Sequence, residues 1–509
     1  MIQRCCFARC MSVLTASLLA GCTVTYKGVN FDKIAYDSNQ RIEKIIADEE
    51  PITAPISLYE AMARALKYNL DKRIEFMEES FRLAQYELSQ TGMLPQVVAS
   101  LSRRQRSNDA GSSSRSLLDG TESLQSSTSS DRDSNTGDLT ASWDILDFGF
   151  SYVQSKQNHN QQLIATERER KVINRILEDV RTVYWRAVSA DRTHKKLVKL
   201  ESQAQVALLE AEQLERRRRV SPLQVLIYQR DLLQIQRRVQ RMQRELLLAK
   251  KQLAALMNVR PNAQFKLVLP NRTDLVPELP GSAEQMVLLG LKFRPELRES
   301  LYRKRINKEE LNKIFIKNLP SVKAILGFNY DSNSYLYNSN WYEGSLQVSW
   351  DLMNLFRYPL EKATVKAQSK VLQAREDALT MAIMTQVYIS RARFIRLSQE
   401  LNTVRRAHDV QERILALTRI QYKVNMISQH QLIREEMNSI EDEVQYDTAY
   451  ADLQNAYANL YASMGIDTVS RQIKLNSDIK TLANTLKTKW TEELASLPTI
   501  SYQPQERSQ

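Results

Sequence analysis

The second half of this chain repeats the first half at fixed offsets, and this duplication limits the folds that the chain can adopt. Leu94-Pro95 recurs 225 residues later as Leu319-Pro320, whereas Ser142-Trp143-Asp144 recurs 207 residues later as Ser349-Trp350-Asp351. The first copy therefore carries 18 more residues, and they fall within residues 106–138, which are rich in Ser. An insertion confined to one polar stretch predicts an exposed loop, so the chain contains two copies of one unit.

Long helices are predicted in both copies. Residues 57–91 have apolar positions three and four apart, and residues 150–217 contain neither Gly nor Pro. A helix of the second length extends about 100 Å. The segment that follows has an unbroken heptad of apolar residues, which predicts a packed seam. Its members are Leu232, Ile235, Val239, Met242, Leu246, Ala249, Leu253 and Leu256.

Four short segments alternate between apolar and polar residues, which predicts β-strands. They are residues 96–105, 138–146, 321–330 and 343–352. Strands of about ten residues with one apolar face are typical of transmembrane β-barrels, and also of a soluble sheet with one wet face. Tyr and Trp residues around the second hairpin loop favour the barrel, because aromatic residues gather at membrane interfaces. They are Tyr330, Tyr335, Tyr337, Trp341 and Tyr342.

Four strands from one chain cannot close a barrel, and an open sheet edge is not viable in lipid. If these strands enter a membrane, several chains must share one barrel. Three chains would supply twelve strands, an even number, and would bring twelve long helices together below the barrel. The predicted fold class is therefore mainly α with a small β part.

The N-terminal residues predict export and lipid attachment. Arg4 and Arg9 precede a short apolar run, and Leu19-Ala20-Gly21-Cys22 resembles the bacterial lipobox, in which the Cys takes up lipid after cleavage. Residues 1–21 would be the signal peptide. After its removal Cys22 would be the only Cys, so it would have no disulfide partner. The alternative is an ordinary signal peptide with a chance Cys.

The remaining boundaries follow from the repeat and from the positions of proline. Residues 22–56 form a lipidated linker, and residues 57–259 and 282–466 are the two repeats. Residues 260–281 contain four prolines and predict an extended crossover between the repeats. Residues 467–509 form a polar tail.

Catalysis, metal binding and nucleic-acid binding are not expected. His159, His194, His408 and His430 are isolated on predicted helices, and no Cys or paired carboxylates lie at ligand spacing from them. No glycine-rich phosphate loop is present, so nucleotide-driven work must come from a partner. No cofactor is expected. The net charge of +12 is spread along helices without clusters of aromatic and basic residues, which argues against a nucleic-acid partner.

The layout resembles the TolC-like outer-membrane efflux proteins over nearly all of the mature chain. The match rests on Leu94-Pro95 and Leu319-Pro320 before strands, and on residues 142–149 with their counterpart 349–354. The resemblance implies a homotrimer with a shared barrel in the outer membrane and an α-helical tunnel in the periplasm. It also implies a periplasmic adaptor (membrane fusion) protein and an inner-membrane pump or ABC transporter as partners.

The family's periplasmic turns meet the adaptor, and the resemblance places these turns near residues 217–221 and 424–428. The residues that occupy them are Arg217, Arg218, Arg219, Ser221, Val424, Asn425, Met426 and Ser428. Asn425 stands where the family has Gly, and Asn tolerates the left-handed geometry that a turn requires. The entrance positions are Gln224, Gln431 and Arg434. TolC itself places acidic residues just after this turn, and they narrow its tunnel with a negative ring. The resemblance therefore implies that this ring is absent here, which predicts a less cation-selective or anion-tolerant entrance.

Two classes of function remain open. One is a passive outer-membrane duct, serving either a tripartite efflux system or a type I protein-secretion system. The other is a lipid-anchored periplasmic coiled-coil scaffold without a pore. The alternating strands and the polar loop within residues 106–138 favour the duct.

Overall fold

The computed structural model describes residues 30–47, 49–123, 125–216, 221–260, 262–272, 279, 281–466 and 477–492. The chain divides into two units, residues 1–51 and 52–509. In the first unit, α1 (Phe31–Ala47) is an amphipathic helix. The predicted signal peptide and Cys22 lie outside the described residues. The elements below belong to the second unit.

The two copies have the same order of elements, which confirms the predicted fold class. The first copy comprises α2 (Leu58–Tyr68), α3 (Leu70–Thr91), β1 (Gln96–Gln105), β2 (Asp133–Asp144), α4 (Ile145–Arg216) and α5 (Pro222–Leu256). The second comprises α6 (Ala283–Phe293), α7 (Pro295–Lys317), β3 (Ser321–Asp331), β4 (Asn340–Ser349), α8 (Met353–Lys423) and α9 (Gln429–Ser463). A further helix, α10 (Ile479–Glu492), follows within the segment predicted as a polar tail.

The prediction of one helix over residues 57–91 was wrong, because the helix is broken at Asn69. Asn69 has an extended backbone (φ −62°, ψ 128°), and its side chain accepts a hydrogen bond from the N–H of Lys72. An Asn side chain that caps a helix start competes with the continuous helix. Arg294 lies 225 residues later, has nearly the same backbone (φ −65°, ψ 133°) and breaks the second copy at the equivalent point.

The four strands form one antiparallel sheet in the order β1-β2-β3-β4. All four predicted strands are present, although β2 begins five residues earlier than predicted and β4 begins three residues earlier. Residues 106–132 connect β1 to β2, whereas residues 332–339 suffice between β3 and β4. The extra residues of the first copy therefore lie in this exposed connection, as predicted.

The long helices pack along the predicted seams. α4 has 72 residues, which corresponds to a length of roughly 110 Å. Leu232, Ile235 and Val239 of α5 are buried against α4, which confirms the heptad. Ile433, Met437 and Ile440 of α9 complete this cluster. A larger core joins α2, α4, α6, α8, α9 and α10, and Ile479, Leu482 and Leu486 of α10 are buried in it.

The returning helices of both copies end at a residue with a positive φ. Asn258 has φ 60° and Gly465, 207 residues later, has φ 70°. Only Gly fits at position 465, because a Cβ built there would lie 2.5 Å from the backbone N of Arg294. Arg170 Nη2 also donates a hydrogen bond to the Gly465 carbonyl oxygen (2.7 Å). Gly465 thus lets α9 end directly against the break between α6 and α7.

Gly465→Ala should lower the free energy of unfolding by more than about 2 kcal/mol, because it adds left-handed strain and a backbone clash. Asn258→Ala, at the equivalent position, should cost only about 1 kcal/mol, since Asn258 already carries a Cβ at its positive φ. Urea unfolding of the full chain in detergent, followed by circular dichroism, measures both. Equal costs would show that the close approach of Arg294 to Gly465 does not limit the packing.

Candidate functional site

One face of the sheet is apolar across all four strands. The register places Ala99, Leu139, Phe328 and Tyr342 opposite one another in a single row. Residues directly opposite in antiparallel strands point to the same face of the sheet. Two neighbouring rows continue this face with Val97, Ala141 and Leu326 and with Trp143, Ala324 and Leu346.

The apolar side chains on this face are exposed. Leu101 is 93% exposed, Leu326 68% and Leu346 77%. At the end of β2, Trp143 of this face packs edge-on against Phe148 of α4, with 5.9 Å between the ring centroids. An apolar patch of this extent in a soluble monomer marks a surface that contacts lipid or another protein.

The opposite face of the sheet is mainly polar. One row joins Asp138, Asn329 and Trp341, and another joins Asp144 and Lys323 to Gln347. Polar side chains on this face bond to each other, as when Ser321 Oγ donates to Asp144 Oδ2 (2.7 Å). The sheet is therefore apolar on one side and hydrophilic on the other.

Both edges of the sheet are open within the described part of the chain. β1 and β4 each have ten residues, each pairs with one neighbour only, and every residue in both is exposed. An edge strand of this length presents a row of unpaired N–H and C=O groups. These edges can accept a strand from another chain.

The repeated Ser-Trp-Asp motif joins the sheet to the helices. Trp143 Nε1 donates a hydrogen bond to the carbonyl oxygen of Met93 (3.2 Å), just after α3 ends. Trp350 Nε1 donates in the same way to Asn318 (3.0 Å), just after α7 ends. Each indole thereby satisfies a carbonyl that the end of a helix leaves without an intrahelical partner.

The Asp of the same motif begins the next helix. Asp144 Oδ1 accepts from the N–H of Leu146 (2.8 Å), and Asp351 Oδ1 accepts from the N–H of Met353 (3.0 Å). Each Asp thus accepts a hydrogen bond from an N–H at the start of the next helix; Asp144 directly precedes α4, whereas Asp351 lies one residue before Leu352, the N-cap residue of α8. Sequence reasoning did not assign these roles to Trp and Asp. An Asp directly before a helical pattern is the signal that could have revealed the cap.

The turn between α8 and α9 has the geometry that its sequence predicts. Asn425 adopts φ 57°, the left-handed conformation. Ser428 and Gln431 form a capping box, in which Ser428 Oγ accepts from the N–H of Gln431 and Gln431 Oε1 accepts from the N–H of Ser428. Val424 and Met426 are exposed beside them. Gln431 therefore has a structural role that sequence reasoning missed.

The turn between α4 and α5 is only partly described. Arg217, Arg218 and Arg219 lie outside the described residues. Ser221 precedes α5 without a side-chain cap, and Gln224 is exposed on the first turn of that helix.

The starts of α5 and α9 lie side by side. The ring of His430 stacks edge-on against Tyr228, with 5.0 Å between the ring centroids, and its Nε2 lies 3.9 Å from Asp231 Oδ2. Burial lowers the pKa of His430, nearby Arg434 lowers it further, and Asp231 opposes both.

The first acidic residues after the turn between α8 and α9 contact side chains of α8. Glu435 accepts a hydrogen bond from Gln411 (3.1 Å), and Glu436 pairs with Arg419 (3.4 Å). Arg434 is exposed, and its Nε lies 3.8 Å from Glu435 Oε1. The exposed side chains at the predicted entrance positions 224, 431 and 434 therefore carry no negative charge.

Across the described ranges, no group of three or more His, Cys, Asp or Glu side chains is arranged to hold a metal ion. None of the described helices contains a stretch that is both long and apolar enough to cross a membrane.

The arrangement of two helical repeats around one four-stranded sheet is the TolC-like fold of outer-membrane efflux channels. No protein-family model matches the chain, and no curated protein matches it in sequence. The fold assignment therefore rests on solved structures.

Three solved channels illustrate the likeness. The Campylobacter jejuni CmeC outer-membrane channel is 12% identical with a TM-score of 0.63, over 85% of this chain and 90% of that one. The outer-membrane channel OprN is 16% identical with a TM-score of 0.61, over 81% and 90%. The open state of the Neisseria gonorrhoeae MtrE channel is 16% identical with a TM-score of 0.58, over 81% and 91%.

Leu346 and Ser345 are neighbours on β4 that point to opposite faces of the sheet. If the apolar face contacts lipid, Leu346→Arg should destabilise the inserted protein by about 2–4 kcal/mol, whereas Ser345→Arg should be tolerated. The fraction of each variant that floats with liposomes after reconstitution measures the difference. Equal insertion of both variants would contradict a lipid-facing assignment.

Asp351→Ala should lower the free energy of unfolding by about 1 kcal/mol, because α8 loses the acceptor for an N–H in its first turn. Asp351→Asn keeps an acceptor oxygen and should stay within a few tenths of a kcal/mol of the parent chain. Denaturant unfolding compares the three proteins. A loss as large in the Asn variant would mean that charge, and not capping, is the contribution of Asp351.

Proposed function

We propose that this chain is one subunit of a trimeric outer-membrane duct that passively conducts substrates out of the periplasm. The observation that carries the proposal is the exposed apolar face of a sheet whose two edges are both open. In lipid, such a sheet must close so that every backbone group is paired. The likeness to solved outer-membrane channels supports the same function. The chain would accordingly be a transport protein and not an enzyme.

Closure requires β4 of one subunit to pair with β1 of the next. Three chains then form a twelve-stranded barrel, and the apolar rows face lipid while the polar rows line the lumen. The helices α4, α5, α8 and α9 of each chain would form the wall of a periplasmic tunnel. Lipid on Cys22 would add a second attachment to the outer membrane.

The partners would be a periplasmic adaptor protein and an inner-membrane pump or ABC transporter. The turns at residues 217–221 and 424–428 would contact the adaptor. A tripartite efflux system is the leading assignment, and the exit duct of a type I secretion system is the second. The non-conducting periplasmic scaffold is disfavoured, since it leaves the apolar face of the sheet without a function.

Planar-bilayer conductance of the purified full chain tests the duct. We expect discrete conductance steps, or weak and flickering steps if the entrance rests closed until its adaptor binds. Electrical silence combined with failure to insert into liposomes would contradict the duct and support the scaffold.

The charge at the proposed entrance leads to a prediction about ion selectivity. With Gln224, Gln431 and Arg434 in these positions, the reversal potential in a salt gradient should show no strong preference for cations. Arg434→Glu should shift the reversal potential toward cation selectivity, because three copies would surround a narrow opening. Arg406→Glu makes the same charge change on α8, about 25 Å along the helix from the turn, and should shift it less. Strong cation preference in the parent chain would contradict the prediction.

A further inference from the structure

A small cavity lies far along the chain from both the sheet and the turns. It has a volume of about 290 Å³ and lies where α2, α4, α9 and α10 meet the crossover residues 268–271. Its walls are largely aromatic. The rings that line it belong to Tyr59, Tyr184, Trp185, Tyr450 and Trp490. We call it the Arg181 cavity, because Arg181 is the charged residue among its described lining residues.

The cavity contains hydrogen-bond donors that have no acceptor within the described part of the chain. Arg181 is 6% exposed, and neither its Nε nor its Nη1 has a partner among the described residues. Trp185 is 5% exposed, and its Nε1 has no partner in the described ranges either. The two residues are one helical turn apart on α4, so they present their donors to the same side of the helix. Buried donors without an acceptor are costly, because they have lost their hydrogen bonds to water.

Packing holds these donors in place without satisfying them. The guanidinium of Arg181 lies over the ring of Trp490, 5.1 Å from its centroid, and Trp185 packs edge-on against Tyr450 at 4.9 Å. The Tyr184 hydroxyl donates to the carbonyl oxygens of Ile56 and Val268, and it accepts no hydrogen bond from the Nε or Nη1 of Arg181 or from the Nε1 of Trp185. The ring contact with Trp490 stabilises the positive charge of Arg181 but accepts no N–H.

The chemistry of the cavity indicates a ligand with a negative end and a flat apolar body. Burial lowers the pKa of Arg181 to about 10, so the guanidinium remains charged at neutral pH. A carboxylate accepts hydrogen bonds from a charged donor more strongly than a neutral group does. The aromatic walls suit a planar apolar ring, and the volume is near the lower end for small-molecule sites, roughly 300–1,000 Å³.

We propose that the Arg181 cavity binds a small aromatic carboxylate, whose oxygens accept hydrogen bonds from Arg181 and Trp185. The bound molecule would connect α10 and α2 to the long helix α4. This site does not depend on the proposed duct, since none of its residues lies in the sheet or in the turns.

Isothermal titration calorimetry of the detergent-solubilised full chain tests the site, with phenylacetate as the probe and phenylacetamide as its uncharged counterpart. Phenylacetate should bind saturably at one site per chain, and the amide should bind at least about tenfold more weakly. Absence of saturable phenylacetate binding would overturn the proposal and leave water as the acceptor for these donors. Equal affinity for the two probes would also overturn it.

Substitutions in the cavity test whether phenylacetate binds there. Arg181→Met should weaken phenylacetate binding by at least about tenfold, and Trp185→Phe, which keeps a ring but removes the N–H, should weaken it several-fold. Arg175→Met is the control, because Arg175 is exposed on the same helix and pairs with Asp71 (3.3 Å). The affinity of Arg175→Met for phenylacetate should match that of the parent chain. Unchanged binding in both cavity variants would overturn the proposal.

The melting temperature distinguishes a variant that has lost the binding site from a variant that has lost its fold. An apolar side chain in place of an unsatisfied buried cation is often neutral or stabilising, so Arg181→Met should not lower the melting temperature of the free chain. Phenylacetate should raise the melting temperature of the parent chain and leave that of Arg181→Met unchanged. If Arg181→Met does not fold, Trp185→Phe alone decides: undiminished affinity there overturns the proposal.

Discussion

The need to pair every backbone N–H and C=O group governs this structure. A single chain supplies four strands with two open edges, and its sheet carries an apolar face whose side chains are largely exposed. Water can hydrogen-bond to the backbone groups of the open edges, but it leaves the apolar face exposed. Lipid can cover the apolar face, but it cannot pair the backbone groups of the edges. Only closure with further strands resolves both requirements, and this is the physical basis for the trimeric duct that we propose.

The duplication explains how a small sheet stays connected to such long helices. In both copies a Trp indole donates to the carbonyl that ends one helix, and the following Asp accepts from the N–H groups that begin the next. Each strand exit is thereby tied to the helix before it and the helix after it. The returning helices of the two copies also end in the same way, at Asn258 and Gly465, which both have a positive φ.

Much of the fold could be predicted from the sequence, because heptad spacing and strand alternation are local patterns that the duplication shows twice. The break at Asn69 could not, since Asn is compatible with a helix until its side chain caps a new one. The capping role of Gln431 was hidden by its interpretation as an entrance residue. The Arg181 cavity could not be predicted at all, because residues from Ser57 to Trp490 meet there only after folding.

The subunit count of the purified protein tests the central claim most directly. Native mass spectrometry of the full chain, released from detergent micelles, should show three chains in one complex. That result would mean that the edges of β1 and β4 are closed by other copies. A folded, detergent-solubilised monomer with both edges intact would contradict the account, because no described element of the same chain is available to pair with them.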